Sequence, residues 1–127
     1  MDHVKNLRHP ITAQIGGQTV ELVTIGTLAH ALGRTTWCVK YWERLGLLPP
    51  APFIINMCDS RTRRRLYPAD LVAQAGRLME HEGWGRRLER DDWQNFATKM
   101  AATYGDVLAP LFPEGITQTG PFEIELI

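Results

Sequence analysis

The chain of 127 residues carries 14 basic and 14 acidic side chains, with 44 % hydrophobic and 22 % charged residues, as expected of one small soluble globular domain. The neutral total argues against a nucleic-acid partner, no apolar run approaches the length of a membrane span, and no leader-like segment opens the chain. Cys38 and Cys58 form no C-x-x-C pair, so free thiols in the cytoplasm are expected, with no disulfide framework and no structural zinc.

Residues 11–23, ITAQIGGQTVELV, predict a β-hairpin: Ile11, Ala13 and Ile15 alternate with polar residues, Gly16-Gly17 supplies the turn, and Val20 and Leu22 alternate again. Thr24 is the expected N-cap of a helix over Ile25–Leu32 that Gly33 ends. A second helix is predicted from Thr35 or Thr36 to Leu45, stopped by Gly46. Helix, short glycine-containing turn, helix is the outline of a helix-turn-helix. The second helix carries two stripes. Val39, Trp42 and Leu45, with Cys38 beside them, are expected to face the core, and Trp37, Lys40, Tyr41 and Arg44 the outside. A cationic and aromatic face, with Arg34, Thr35 and Thr36 at its amino end, suits major-groove reading. Lysine and arginine can bond phosphate or guanine, and a tryptophan edge can pack on a thymine methyl.

Pro49, Pro50 and Pro52 break that helix, and Phe53–Met57 is short, apolar and β-prone. Arg61, Arg63, Arg64 and Arg65 then place four arginines in five positions, running into Leu66-Tyr67 as a return strand. That is where a hairpin tip would project. Pro68 and Asp70 suit the first turn of a helix whose Leu71, Val72, Ala75, Leu78 and Met79 form an apolar face through about Glu82. A further helix is predicted over Leu88–Tyr104 with Gly105 beyond it, and the ending PFEIELI alternates as a strand.

Divided along the chain, the charge is no longer neutral. Residues 34–90 hold eleven basic and six acidic groups, a net +5, and residues 91–127 hold one against six, a net −5. A balanced total therefore does not exclude DNA.

Residues 24–71 resemble the winged helix-turn-helix of MerR-type transcription regulators. The resemblance rests on Thr24-Ile25-Gly26-x-Leu28-Ala29, on Gly33, on Val39-Lys40-Tyr41-Trp42-Glu43-Arg44-x-Gly46-Leu47-Leu48-x-Pro50, and on Arg65-Leu66-Tyr67 before Asp70-Leu71. It implies that the second helix enters the major groove while the hairpin wing lies along the phosphates or minor groove. It also places Lys40 where an arginine usually holds the backbone, and Tyr41, Arg44, Arg65 and Tyr67 at positions that tend to touch DNA. Glu43 fits the pattern and is expected to orient a neighbouring arginine. Trp42 stands where a tyrosine is usual, as in the related domains of phage excisionases and terminase small subunits. The wing is longer than typical, a hairpin precedes the first helix, and the Leu88–Tyr104 helix is short beside the family's dimerisation helix. Cys38 and Cys58 do not match the family's metal-sensing cysteines.

The expected fold is mainly α with small β elements (α+β): a hairpin extension over 1–23, a winged helix-turn-helix over 24–83, and a C-terminal helix, acidic tail and strand over 84–127. The expected function is sequence-specific double-stranded DNA binding by a small transcription regulator, read by the helix over 35–45 and the wing over 53–67. The alternatives are an excisionase-like or terminase-like architectural DNA binder, phage- or mobile-element-encoded, and a protein-interaction module on the same scaffold. The candidate DNA contacts are Arg34, Thr35, Thr36, Trp37, Lys40, Tyr41, Arg44, Arg61, Arg63, Arg64, Arg65 and Tyr67. With five or six phosphate contacts the log–log salt slope would be roughly −5 per protomer. A homodimer or DNA-assembled oligomer is expected, since one small module makes a limited interface. A basic protein is the expected partner of the acidic tail. The scattered histidines His3, His9, His30 and His81 form no catalytic pattern, so no enzyme, metal or cofactor is expected, and the location is the cytoplasm or nucleoid of a bacterial host.

Overall fold

The computed structural model describes residues 10–56, 63–85, 87–113, 115 and 121–124. In chain order these form β1 (Ile11–Ile15), β2 (Gln18–Thr24), α1 (Ile25–Leu32), α2 (Thr36–Arg44), β3 (Phe53–Asn56), β4 (Arg63–Pro68), α3 (Ala69–Glu82), α4 (Trp93–Leu108) and β5 (Phe122–Ile124). Short 3-10 turns flank α4 at Arg90–Asp92 and Ala109–Leu111. The architecture is α+β: four helices and one five-stranded sheet of order β1-β2-β4-β3-β5. No helix among the described residues is long and apolar enough to cross a membrane.

Alternation and a two-glycine turn build the first hairpin. Gly16 and Gly17 both take positive φ (59° and 78°), the left-handed pair that lets a two-residue loop follow the strand twist. The hairpin is antiparallel from Ile11↔Leu22 to Ile15↔Gln18. Its turn lies against the end of α4, where Gln18 Nε2 donates to the Pro110 carbonyl at 2.8 Å. Strand β2 then pairs β4 through Leu22↔Pro68, Val23↔Tyr67 and Thr24↔Leu66. On the far side of β4, β3 pairs antiparallel and β5 adds parallel to β3.

The centre of this sheet is covered on both faces. Leu22, Leu66, Phe53 and Ile55 share one face by register, Val23 and Tyr67 the other, and all six are buried. On the first face Phe112 and Phe122 stack with centroids 4.6 Å apart, and both lie near Phe53. One hydrophobic cluster runs without a break from Ile15 to Leu111. The hairpin extension and the C-terminal strand are therefore parts of the same sheet and core as the middle segment, at its two ends, and do not pair with each other.

Several expectations are corrected. Leu45 does not face the core: it is 43 % exposed, and Leu47 and Leu48 are buried in its stead. Each helical step turns about 100°, which brings Leu45 within about 40° of Tyr41 on the outer face. Gly46 (φ 79°) then reverses the chain, and the Leu47 N–H donates to the Trp42 carbonyl at 2.9 Å. The last long helix does not run over Leu88–Tyr104. A reciprocal capping box of Glu89 and Asp92 precedes it, and it continues through Gly105 to Leu108. Phe96, Met100, Tyr104 and Leu108 form a buried stripe at four-residue spacing, and that burial outweighs the roughly 1 kcal/mol that a helical glycine costs. Thr24 occupies the N-cap position of α1, yet its side chain makes no capping hydrogen bond; its hydroxyl lies 3.4 Å from that of Thr27. Strand β3 is described to Asn56, so Met57, and with it Arg61, lies outside the described residues.

Candidate nucleic-acid interface

Helix α2 is fixed from its first residue. The Thr35 hydroxyl accepts the Cys38 N–H at 3.2 Å, satisfying one of the unpaired donors of the first turn. Val39 and Trp42 are buried, and the Trp42 ring meets Phe96 of α4 edge-on at 5.0 Å. This anchorage sets the rotation of the helix. It leaves Thr36, Trp37, Lys40, Tyr41, Arg44 and Leu45 exposed. Trp37 and Tyr41 stack with ring centroids 5.2 Å apart and planes 10° from parallel. Among the described residues, the exposed large hydrophobic side chains are Trp37 (66 %), Tyr41 (36 %) and Leu45, all on this one helix and its cap. Lys40 and Arg44 stand beside them without an ion pair among the described residues. Cys38 sits half-buried on the flank, where desolvation pushes its thiol pKa up against the opposing charge of Arg34.

Arg34 is turned inward. Its Nη2 donates to the Trp84 carbonyl and its Nη1 to that of Gly85, both at 3.0 Å, with the Leu32 and Gly33 carbonyls at 3.3 Å. The guanidinium lies 5.3 Å from the Trp42 ring centre. It ties the turn between α1 and α2 to the loop after α3. The Leu32 and Gly33 carbonyls belong to the end of α1 and those of Trp84 and Gly85 to the loop after α3, and a cation satisfies such acceptors well. Arg34 is thus a half-buried structural clamp whose guanidinium is committed to backbone carbonyls.

The arginine cluster does not act as one block. Strand alternation sends Arg64 and Arg65 to opposite faces of the sheet. Arg65 shares its face with Tyr67 and reaches α2, with its Nε 3.5 Å from Glu43 Oε2. Arg64 shares its face with Ile55 and Leu66; it is half-buried, and its Nε has no hydrogen-bond partner among the described residues. Arg63 opens β4 opposite Asn56.

Tyr67 is the clearest departure from the expected contacts. It is 1 % exposed: β4 is an interior strand, and α1 and α3 pack against it. Burial pushes its phenol pKa far above the usual range, with Tyr104 and Glu43 adding to the rise and Arg65 opposing it. Tyr104 is raised in the same way, by burial and then by Glu43. Neither hydroxyl has a hydrogen-bond partner among the described residues. Tyr67 therefore has no surface with which to touch a ligand.

The acidic side chains gather elsewhere. A cleft of about 600 Å³ between β2, the start of α3 and the end of α4 is lined by Glu21, Asp70 and Asp106 over Pro68, Val107 and Leu111. Of the expected contacts, then, Thr36, Trp37, Lys40, Tyr41 and Arg44 share one surface. Thr35 caps that helix, Arg65 braces it, the half-buried Arg34 is bonded to backbone carbonyls, and Tyr67 lies within the fold. Leu45 belongs to the exposed stripe and was missed, although its angular position next to Tyr41 was available from the sequence. The partners of Arg34 at Trp84 and Gly85 left no local signal. Compared with family models, curated proteins and solved structures, the chain matches none.

Proposed function

We propose that the protein binds double-stranded DNA sequence-specifically and without catalysis, as a MerR-like winged helix-turn-helix module. In this reading α1 and α2 are the helix-turn-helix, α2 enters the major groove, and β3–β4 is the wing against the backbone or minor groove. The observation that carries it is the composition of the exposed α2 face: two stacked aromatic rings beside the exposed cations Lys40 and Arg44. Such a face offers phosphate bonding and base-edge packing together.

With Arg34 committed to backbone carbonyls and Arg65 braced by Glu43, five of the seven candidate cations remain for phosphate, and with about four of them in contact the log–log salt slope becomes roughly −4 per protomer. Selection of bound sequences from a random duplex library, followed by titration across salt, tests the proposal. A near-zero slope, or no enriched sequence, would refute it. Two protomers on two half-sites are the expected assembly, read from the mass of the complex. Footprinting on DNA around the protein's own gene, against attachment or packaging sites, separates a transcription regulator from an architectural factor.

The acidic cleft favours a second reading, a module that recruits a basic protein segment. Under that reading Glu21→Gln with Asp106→Asn abolishes partner capture and leaves duplex affinity unchanged.

A further inference from the structure

The rings of Trp37 and Tyr41 are held as a pair, and that pairing narrows what α2 can recognise. They sit one helical turn apart and stack almost parallel, so each limits the rotamers of the other. Leu45 prolongs the same stripe by one more turn. The surface this leaves in water is largely apolar and pre-ordered, and the exposed hydrogen-bonding side chains Lys40 and Arg44 stand on the same helix. In the major groove, the apolar feature that distinguishes one base pair from another is the C5-methyl group of thymine. The ring centres are 5.2 Å apart. Successive bases on one strand rise by about 3.4 Å, and the duplex twist displaces their C5 substituents sideways and lengthens that step.

We infer that the Trp37–Tyr41 pair is a reader of C5-methyl groups on two consecutive pyrimidines, thymine or 5-methylcytosine, in one strand of the duplex. The inference rests on the major-groove reading of α2 above and adds the chemistry of the recognised step. Recognition is of the methyl and not of the base: an indole edge and a phenol ring pack on an apolar group, whereas the oxygen and nitrogen edges are left to Lys40 and Arg44. Cytosine methylation within a site would then raise affinity instead of blocking it. Guanine-reading contacts respond differently, because a methyl on the paired cytosine adds nothing to them.

The test uses the full chain and the duplex recovered by selection, resynthesised with deoxyuridine for thymidine at single positions. Burying one methyl is worth about fourfold in affinity, the equivalent of roughly 0.8 kcal/mol. Two adjacent positions should each lose about fourfold on demethylation, and cytosine placed there should gain about fourfold when C5-methylated. Trp37→Ala should erase these differences while leaving the salt slope unchanged, and Tyr41→Phe should preserve them. Equal affinity for thymidine and deoxyuridine duplexes, with the salt slope intact, would overturn the methyl-reading inference and leave DNA binding standing. Absence of salt-dependent duplex binding would overturn the underlying reading as well.

Discussion

Glu43 of α2 and Arg65 of β4 face each other at 3.5 Å, the one side-chain ion pair that joins the exposed helix to the sheet among the described residues. The carboxylate is mostly covered (18 % exposed) and the arginine less so (34 %). It sits above the buried hydroxyls of Tyr67 and Tyr104, both of whose ionisation it opposes. The pair links α2 to the hairpin β3–β4. Its energetic worth is small, under about 1 kcal/mol, because water still reaches the guanidinium. Glu43→Gln should therefore lower the urea midpoint only slightly. It should raise affinity for random duplex by several-fold, since a negative charge is removed and Arg65 is released to meet phosphate. Fluorescence anisotropy on random and selected duplexes reads both effects, and an unchanged random-duplex affinity would show that Arg65 does not approach the backbone.

Arg34 predicts the reverse. Its guanidinium holds carbonyls of Trp84 and Gly85 at 3.0 Å and covers the Trp42 ring. Arg34→Ala leaves those carbonyls without their donor and should cost about 2 kcal/mol of stability. The salt slope of DNA binding should stay as it was. A slope reduced by about one, with stability untouched, would return Arg34 to the DNA-binding surface.

The Gly16–Gly17 turn separates two costs that sequence alone cannot. At Gly17 a Cβ meets nothing within 4 Å, so Gly17→Ala should cost only the left-handed backbone penalty, about 1–2 kcal/mol. At Gly16 a Cβ would lie 2.0 Å from the Leu111 carbonyl oxygen, so the hairpin must also move away from the end of α4. Gly16→Ala should lose at least twice as much in urea unfolding. Equal losses would mean that the contact yields without cost.

Tyr67→Phe removes a buried hydroxyl that has no partner, so stability should hold or rise by up to about 1 kcal/mol. Duplex affinity should not change, because the ring is 1 % exposed.

Alkaline pH follows from the same two phenols. Burial raises their folded-state pKa above the unfolded value, so their contribution is whole below about pH 10. As pH climbs beyond that, the unfolded chain loses these protons while the folded chain keeps them. Each phenol then removes up to roughly 1.4 kcal/mol per pH unit. Urea midpoints between pH 8 and pH 11 should fall in the wild type and fall less with Tyr67→Phe and Tyr104→Phe together. Parallel curves would show that the phenols ionise alike in both states.

Much of this arrangement is legible in local patterns. Alternation around Gly16-Gly17, the stripes of α2 and the glycine stops at Gly33 and Gly83 all rest on interactions within a few residues of one another. The exposed face of α2 belongs here too, since periodicity alone separates Trp37, Lys40, Tyr41 and Arg44 from Val39 and Trp42. Even Glu43 was expected to orient an arginine, and it pairs with Arg65.

Other assignments depended on contacts between distant segments. Nothing near Arg34 announces Trp84 and Gly85, which lie some fifty residues on and arrive only when α3 packs against α1. Nothing near Tyr67 shows that β4 is interior, because its neighbours β2 and β3 come from two different hairpins. An arginine or tyrosine carries the same chemistry at the surface or within. Which of the two it becomes is set by the backbone groups and strands that fold beside it, and those are long-range facts. The composition of the α2 face was written in the order of the residues. How many of the neighbouring cations remain available to a ligand was decided by packing.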